Sequence, residues 1–193
     1  MHQEFNLTRY TKIVSKAAIF NFYEPERVEG YCKSCPNYNK LWSCPPHEFD
    51  AISFLNPYTY VLLLGEKIVR NEYSEFNDSM NSYFQKVRRQ LGDQLIALSK
   101  KEEVEVLIAG NCYLCEDCIR TEGKSCRYED RMKYSLESIG FMVGDIASEL
   151  LGIGLEWPEE GMEASSLMTV GAIFAKDEAL LESILEQWRE TYE

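Results

Sequence analysis

"TYVLLLGEKIV", residues 59–69, is apolar and β-rich up to its Gly65 and shows no helical period. A run this short reads as a buried strand, and at this length it is far too short to cross a bilayer. Downstream, Met80, Phe84, Val87, Leu91, Leu95 and Leu98 recur at spacings of four and three. That spacing predicts a helix from about 78 to 100 with one buried stripe. "VEVLIAG", 104–110, follows as a second buried strand and delivers the chain to Cys112. "EDRMKYSLESIG" suggests a helix ended by Gly140, and "GDIASELLG" another ended by Gly152. "SSLMTVGAIFA", 165–175, reads as a strand, and from Asp177, its expected N-cap, a helix buries Leu181, Ile184, Leu185 and Trp188. Upstream, "KIVSKAAIF" is a weak apolar segment without a firm assignment. The expectation is an α/β or α+β fold: one compact domain over 1–193, a mixed sheet flanked by helices, with two cysteine loops converging at one end of the sheet.

Composition bounds the function. A chain of 193 residues with 45% hydrophobic content can bury one substantial core. The formal charge is −12, and residues 136–193 hold thirteen Asp and Glu against Lys176 and Arg189. Phosphate backbones and anionic membranes need a basic stripe, so nucleic acid and membrane docking are disfavoured; a basic protein partner suits this charge. Glu178, Glu182, Glu186 and Glu190, spaced by four, share the outer face of the last helix and read as a solvated face. "MHQEFNLTRYTKIVSK" has no apolar signal core, which points to the cytoplasm. There thiols stay reduced, and an odd count of seven cysteines cannot pair off internally, so a disulfide framework fits poorly. No G-x-G-x-x-G, G-x-x-x-x-G-K-[ST] or G-x-S-x-G is present.

The seven cysteines fall into two groups. "CKSCPNYNKLWSCPP" holds Cys32, Cys35 and Cys44; "CYLCEDCIRTEGKSC" holds Cys112, Cys115, Cys118 and Cys126. A C-x-x-C-x-x-C run lets each thiolate cap a different corner of one cubane, whereas zinc needs only one or two C-x-x-C pairs. A fourth ligand would be Cys44, followed by Pro45 as in bacterial iron-sulfur loops, or Cys126, eight residues past Cys118; the spacing leaves both open. Three thiols remain for a second metal with one position open, which His47 could close. The segment Tyr31–His47 carries Lys33 and Lys40 and no carboxylate, a setting that favours thiolate at Cys32 and Cys35. Tyr38 and Trp42 are expected to pack around the metal and shield it from water.

"CKSCPNYNKLWSCPP", "GNCYLCEDCIRTEGKSCR" and "YSLESIGFMVGDIASELLG" together resemble the bacterial and archaeal metal-binding proteins classed as domain of unknown function 2284. With the closing strand and helix the resemblance covers most of the chain, and it takes in Tyr38, Trp42, Pro45, Pro46, Gly123, Arg127, Ser135 and Gly140 besides all seven thiols. It implies metal binding and carries no substrate or reaction with it. The leading expectation is an iron-sulfur protein, a 4Fe-4S cluster on Cys112, Cys115, Cys118 and either Cys44 or Cys126, with an electron-transfer role and a redox protein as partner. The alternatives are a zinc-stabilised interaction module that uses the acidic last helix, and a thiol carrier of metal or sulfur.

Overall fold

Tyr60–Arg70 forms the strand that the apolar run predicts, β2, and both of its edges are paired. On one side lies β1, Phe5–Ser15, antiparallel and in register from Phe5 opposite Arg70 to Ser15 opposite Tyr60. On the other lies β4, Ser166–Ala175, also antiparallel, with Leu62 opposite Ile173. A short β3, Glu105–Leu107, pairs antiparallel with the far edge of β4, so the spatial order is β1-β2-β4-β3. The computed structural model describes residues 4–70, 80–154 and 164–190. The expected α/β or α+β single domain is what it shows, but all three pairings of the sheet are antiparallel rather than mixed.

Side chains alternate across β2. Val61 and Leu63 join Val170, Ala172 and Phe174 on one face; Leu62 and Leu64 join Val106 and Ile173 on the other. Each of the four β2 residues is fully buried, which at about 1.5–3 kcal/mol per leucine-sized side chain makes β2 the strongest source of apolar stabilisation in the sheet. The first face is covered by α1 (Lys16–Phe20) through Ile19, by α3 (Ala51–Leu55) through Leu55, and by Phe141 and Ile146. The second is covered by α4 (Met80–Leu98) through Leu91, Leu95 and Ile96 and by α6 (Glu178–Glu190) through Leu181 and Ile184. Between α1 and α3 stands α2, Pro25–Lys33, with Pro25 in its first turn where a missing N–H costs nothing.

The predicted α4 is present, with Met80, Val87, Leu91 and Leu95 buried and Phe84 and Leu98 partly so; residues 78 and 79 of the expected span lie outside the described residues. The last helix buries Leu181 and Ile184, with Leu185 and Trp188 packed beside them, and leaves Glu178, Glu182, Glu186 and Glu190 exposed. Three expectations change. The weak "KIVSKAAIF" segment is the end of β1 and the start of α1, where the Ser15 hydroxyl caps Ala18 N–H at 3.2 Å. The second strand is only Glu105–Leu107, because beyond it Ile108 N–H bonds Tyr134 C=O instead of a strand. "EDRMKYSLESIG" is not a helix: only Glu137–Ile139 makes a 3-10 turn, because Ser135 and Ser138 tie each other's backbone through their hydroxyls, an alternative to helical bonding. Gly140 does end that turn, at φ 104°. The next segment starts as α5, Val143–Asp145, and widens into a π-type turn over Ile146–Leu150 before Gly152. Among the described residues no helix is long and apolar enough to cross a membrane.

Two glycines test this packing in opposite directions. A Cβ on Gly171 of β4 would stand 2.9 Å from Leu95 Cδ1 and 3.3 Å from the Leu107 carbonyl oxygen, and the carbonyl cannot yield. Gly171→Val should lose about 1–3 kcal/mol of unfolding free energy by chemical denaturation. Gly30, exposed in α2, has nothing within 4 Å of such a Cβ, so Gly30→Ala should gain about 0.5–1 kcal/mol in the same measurement.

Candidate metal centre

The first cysteine loop is a chain of tight turns set off by the end of α2. Cys32 sits in its last turn; Cys35 N–H bonds Cys32 C=O at 2.9 Å, Tyr38 N–H bonds Cys35 C=O at 3.1 Å, and Cys44 N–H bonds Leu41 C=O at 3.0 Å. Asn39, at φ 56°, reverses the chain so that its N–H reaches Pro45 C=O at 2.8 Å, which folds the loop back on itself. Asparagine tolerates this left-handed conformation better than most residues. Lys33 does not serve the thiols as its position suggests: its Nζ pairs with Glu29 at 3.4 Å. Tyr38 likewise donates its hydroxyl to Glu29, at 3.1 Å.

The second loop leaves the end of β3 under the control of Arg88. This guanidinium, buried on α4 between the core residues Val87 and Leu91, donates Nη1 to the carbonyls of Ala109 (3.1 Å) and Asn111 (2.7 Å). The turn that begins with Cys112 is thereby fixed to the helix. After Cys118 a 3-10 turn, Ile119–Glu122, is pinned by the buried Ile119 and closed by Gly123 at φ 69°. Arg127 Nη1 then reaches back to Asp117 C=O at 2.9 Å, which brings Cys126 alongside the C-x-x-C-x-x-C run. Cys112, Cys115, Cys118 and Cys126 line one small cavity of about 20 Å³, roofed by Leu41 and Trp42 of the first loop. Cys44 does not line it.

The two loops are docked on each other by hydrogen bonds. Arg120, half-buried, donates Nη1 to Leu41 C=O (2.7 Å) and to Cys44 C=O, and Nη2 to Pro46 C=O (2.6 Å). Its guanidinium also lies 5.1 Å from the Trp42 ring centre. Trp42 Nε1 donates to Lys124 C=O at 3.1 Å, and Cys112 N–H donates to Ser43 Oγ at 3.0 Å. The expected shielding aromatic is therefore Trp42, and what it covers is the cavity of the other loop.

Burial raises four of the thiols. It pushes Cys44 up to about 11, against the partial relief of the Ser43 hydroxyl and Arg120 and with the neighbouring Cys35 and Cys32 adding to it. Cys112 is raised by burial, with Cys126, Cys115 and Cys118 contributing, and Cys126 is raised in the same way by burial, Cys118 and Cys115. Cys32 is raised by burial, then by Cys35, Glu137 and Glu29, the opposite of the reactive thiolate that its lysine neighbour suggested. A bound cation reverses this order, because it replaces the proton on each sulfur. Among the described residues no three His, Cys, Asp or Glu side chains stand in position to hold a single ion. His47 Nε2 lies 2.8 Å from Ser138 C=O and its ring stacks on Phe49, so that nitrogen is already engaged as a donor.

Arg88, Arg120, Ser43 and Glu137 carry parts of this arrangement that the sequence reading passed over. An arginine set between Val87 and Leu91 on an apolar stripe was a legible signal, since a buried cation needs acceptors close by. Arg120 had none, because its acceptors lie more than seventy residues upstream. A family model described as a predicted metal-binding protein, DUF2284, matches residues 22–174, a span that contains all seven cysteines. No curated protein and no solved structure matches the chain.

Replacing Arg120 by Gln should remove most of the three carbonyl contacts while keeping the bulk. Because the guanidinium is half-exposed, the expected loss is about 2 kcal/mol of stability, with a shift of Trp42 fluorescence toward the exposed range as the loops separate. Fluorescence and stability both unchanged would show that the loops dock without it.

Proposed function

Since the chain belongs to the DUF2284 family of predicted metal-binding proteins, we propose that Cys112, Cys115, Cys118 and Cys126 hold a 4Fe-4S cluster and that the protein works in electron transfer or a related redox step. The observation that carries this reading is the shared cavity: the triple-cysteine run and Cys126 surround one space, and Trp42 covers it. The donor set is the right one, four soft thiols with no carboxylate or histidine among the described residues of the cavity wall. Cys44 keeps company with Cys32 and Cys35 instead, which makes Cys126 the fourth ligand in this proposal. Zinc held by four thiolates at about 2.3 Å each would require all sulfurs to lie within about 4 Å of one another. The thiols line the cavity wall without three of them closing on such a point.

A bound cluster supplies a reversible one-electron store whose potential follows burial and hydrogen bonding to sulfur. The chain's own contribution would be Trp42 and Leu41 excluding water, Arg88 and Arg120 anchoring both loops, and burial that favours the protonated form of Cys112 and Cys126 until metal arrives. A cytoplasmic setting and a redox protein as partner go with this reading. The zinc alternative has one observation of its own: at about 20 Å³ the cavity admits a body no larger than a water molecule. In that case the metal is a structural clasp and the exposed acidic face of α6 is the working surface.

Protein purified without oxygen should be brown, absorb broadly near about 400 nm and contain iron and acid-labile sulfide. Cys126→Ser and Cys115→Ser should each abolish that absorption, while Cys44→Ser should retain it. Colourless protein with stoichiometric zinc and no sulfide would overturn the cluster reading in favour of zinc. Removal of the metal by a chelator should lower the melting temperature markedly, because metal at structural sites contributes on the order of 10 kcal/mol to folding; an unchanged transition would place the metal outside the fold's support.

A further inference from the structure

Cys32 and Cys35 stand outside the four-thiol cavity, and Cys32 instead lines a second and larger one of about 260 Å³, which opens between α2, the turn after Pro46 and the turn at 137–140. We infer that Cys32 and Cys35 are a redox-active dithiol, and that Cys32 attacks a small, amine-bearing disulfide held in this cavity while Cys35 completes the reduction.

The pairing is set by the backbone. Cys32 sits in the last turn of α2, and Cys35 N–H bonds its carbonyl at 2.9 Å. A turn closed in this way keeps its first and fourth Cα atoms within about 7 Å of each other, which is within the reach of a disulfide. Cys44 is held in a different turn, its N–H on Leu41 C=O and its own carbonyl on Arg120. Among the described residues no three His, Cys, Asp or Glu side chains stand in position to hold a single ion, so the pair is the unit that this geometry supports.

The two thiols have different surroundings. Cys32 is half-buried on the cavity wall, whereas Cys35 is exposed and is not among the residues that line it. Thiol–disulfide exchange is a displacement at sulfur, in which the attacking and leaving sulfurs take opposite sides. A disulfide in the cavity therefore meets Cys32, and Cys35 reaches the same Cys32 sulfur from outside. In the first step Cys32 Sγ bonds to one substrate sulfur, the substrate S–S bond breaks, and the Cys32 proton leaves with the departing thiol. In the second, Cys35 Sγ bonds to Cys32 Sγ, the mixed disulfide breaks, and the other thiol departs with the Cys35 proton. The dithiol is oxidised by two electrons and the substrate is reduced to two thiols.

The cavity wall indicates the class of substrate. It carries the carboxylates of Glu29, Asp50 and Glu137 and, among the described residues, neither lysine nor arginine. Glu29 is shared with Lys33 and Tyr38. The Ser53 N–H holds Asp50 below the usual carboxylate range, and Oε2 of Glu137 accepts no hydrogen bond among the described residues. Burial, Cys35, Glu137 and Glu29 raise the Cys32 thiol, so its attack is favoured by a ligand that brings positive charge beside it. An ammonium group on the substrate does this and is drawn to the carboxylates. A cavity of about 150 Å³ holds one benzene ring, so 260 Å³ admits a short aminoalkyl disulfide such as cystamine.

The test uses the full chain, purified without oxygen with the metal it carries, and cystamine as the probe. One equivalent should be consumed and two of cysteamine released, and peptide mass spectrometry should find a Cys32–Cys35 disulfide, with iron, sulfide and zinc contents unchanged. Cys35→Ser, altered at an exposed position, should fold normally and stop with one cysteamine joined to Cys32. Dithiodipropionate, an anionic disulfide, should react at least about tenfold more slowly, and Cys32→Ser, left with the exposed Cys35, should lose that preference. A disulfide between Cys35 and Cys44, equal rates for the two probes, or a cysteamine on any cysteine but Cys32 in Cys35→Ser would overturn the proposal. So would loss of metal on oxidation or in Cys35→Ser, which would make the pair metal ligands. The cluster reading is judged apart from this, by the colour and sulfide of Cys115→Ser and Cys126→Ser.

Discussion

Because Val61 and Leu63 point to one side of β2 and Leu62 and Leu64 to the other, this strand cannot be satisfied by a single layer of helices. Both faces of the sheet have to be covered, and the rest of the chain is arranged to do it. The connection from β1 to β2 supplies α1 and α3 for one face and carries the first cysteine loop between them. The connection from β2 to β3 supplies α4 for the other face. Gly171 lets α4 approach until Leu95 nearly touches the strand, and that close approach positions Arg88 over the start of the second cysteine loop. Both cysteine loops are thus extensions of elements whose places are dictated by apolar burial.

What joins the loops is polar and comparatively slight. Arg120 gives its guanidinium protons to three carbonyls of the first loop, Trp42 gives its indole N–H to the second, and Ser43 accepts from Cys112. Each contact gives a backbone group of a turn a partner on the other loop. The same residues determine which thiols share a space. Trp42 and Leu41 close the roof over Cys112, Cys115, Cys118 and Cys126, and the chain reversal at Asn39 turns Cys44 back toward Cys32 and Cys35. Enclosure raises Cys44, Cys112 and Cys126, and Arg88 and Arg120 lie beside the two loops that carry them. The acidic surface of α6 belongs to the other face of the sheet and is a solvated helix face of the ordinary kind.

The sequence by itself determined the strands β2 and β4 and the helices α4 and α6, because two-sided or one-sided burial imposes a period on the side chains that can be read without coordinates. It also set out seven thiols in two groups as the candidates for metal binding, since thiol spacing is a property of the chain. It did not reveal β1, an edge strand whose residues are mostly only partly buried, nor the shortness of β3, whose pairing stops where Ile108 turns to Tyr134. It misread 129–140 as a helix because the Ser135 and Ser138 hydroxyls compete locally for the backbone. Only the tertiary structure decided that Cys126 lies with the triple run and Cys44 with the first pair, and that His47 is tied to Ser138. These depend on how the two loops meet, through contacts such as Arg120 to Leu41 and His47 to Ser138 that span more than seventy residues of chain, and no local spacing encodes them: they follow from where β2, buried on both faces, obliges the flanking segments to go.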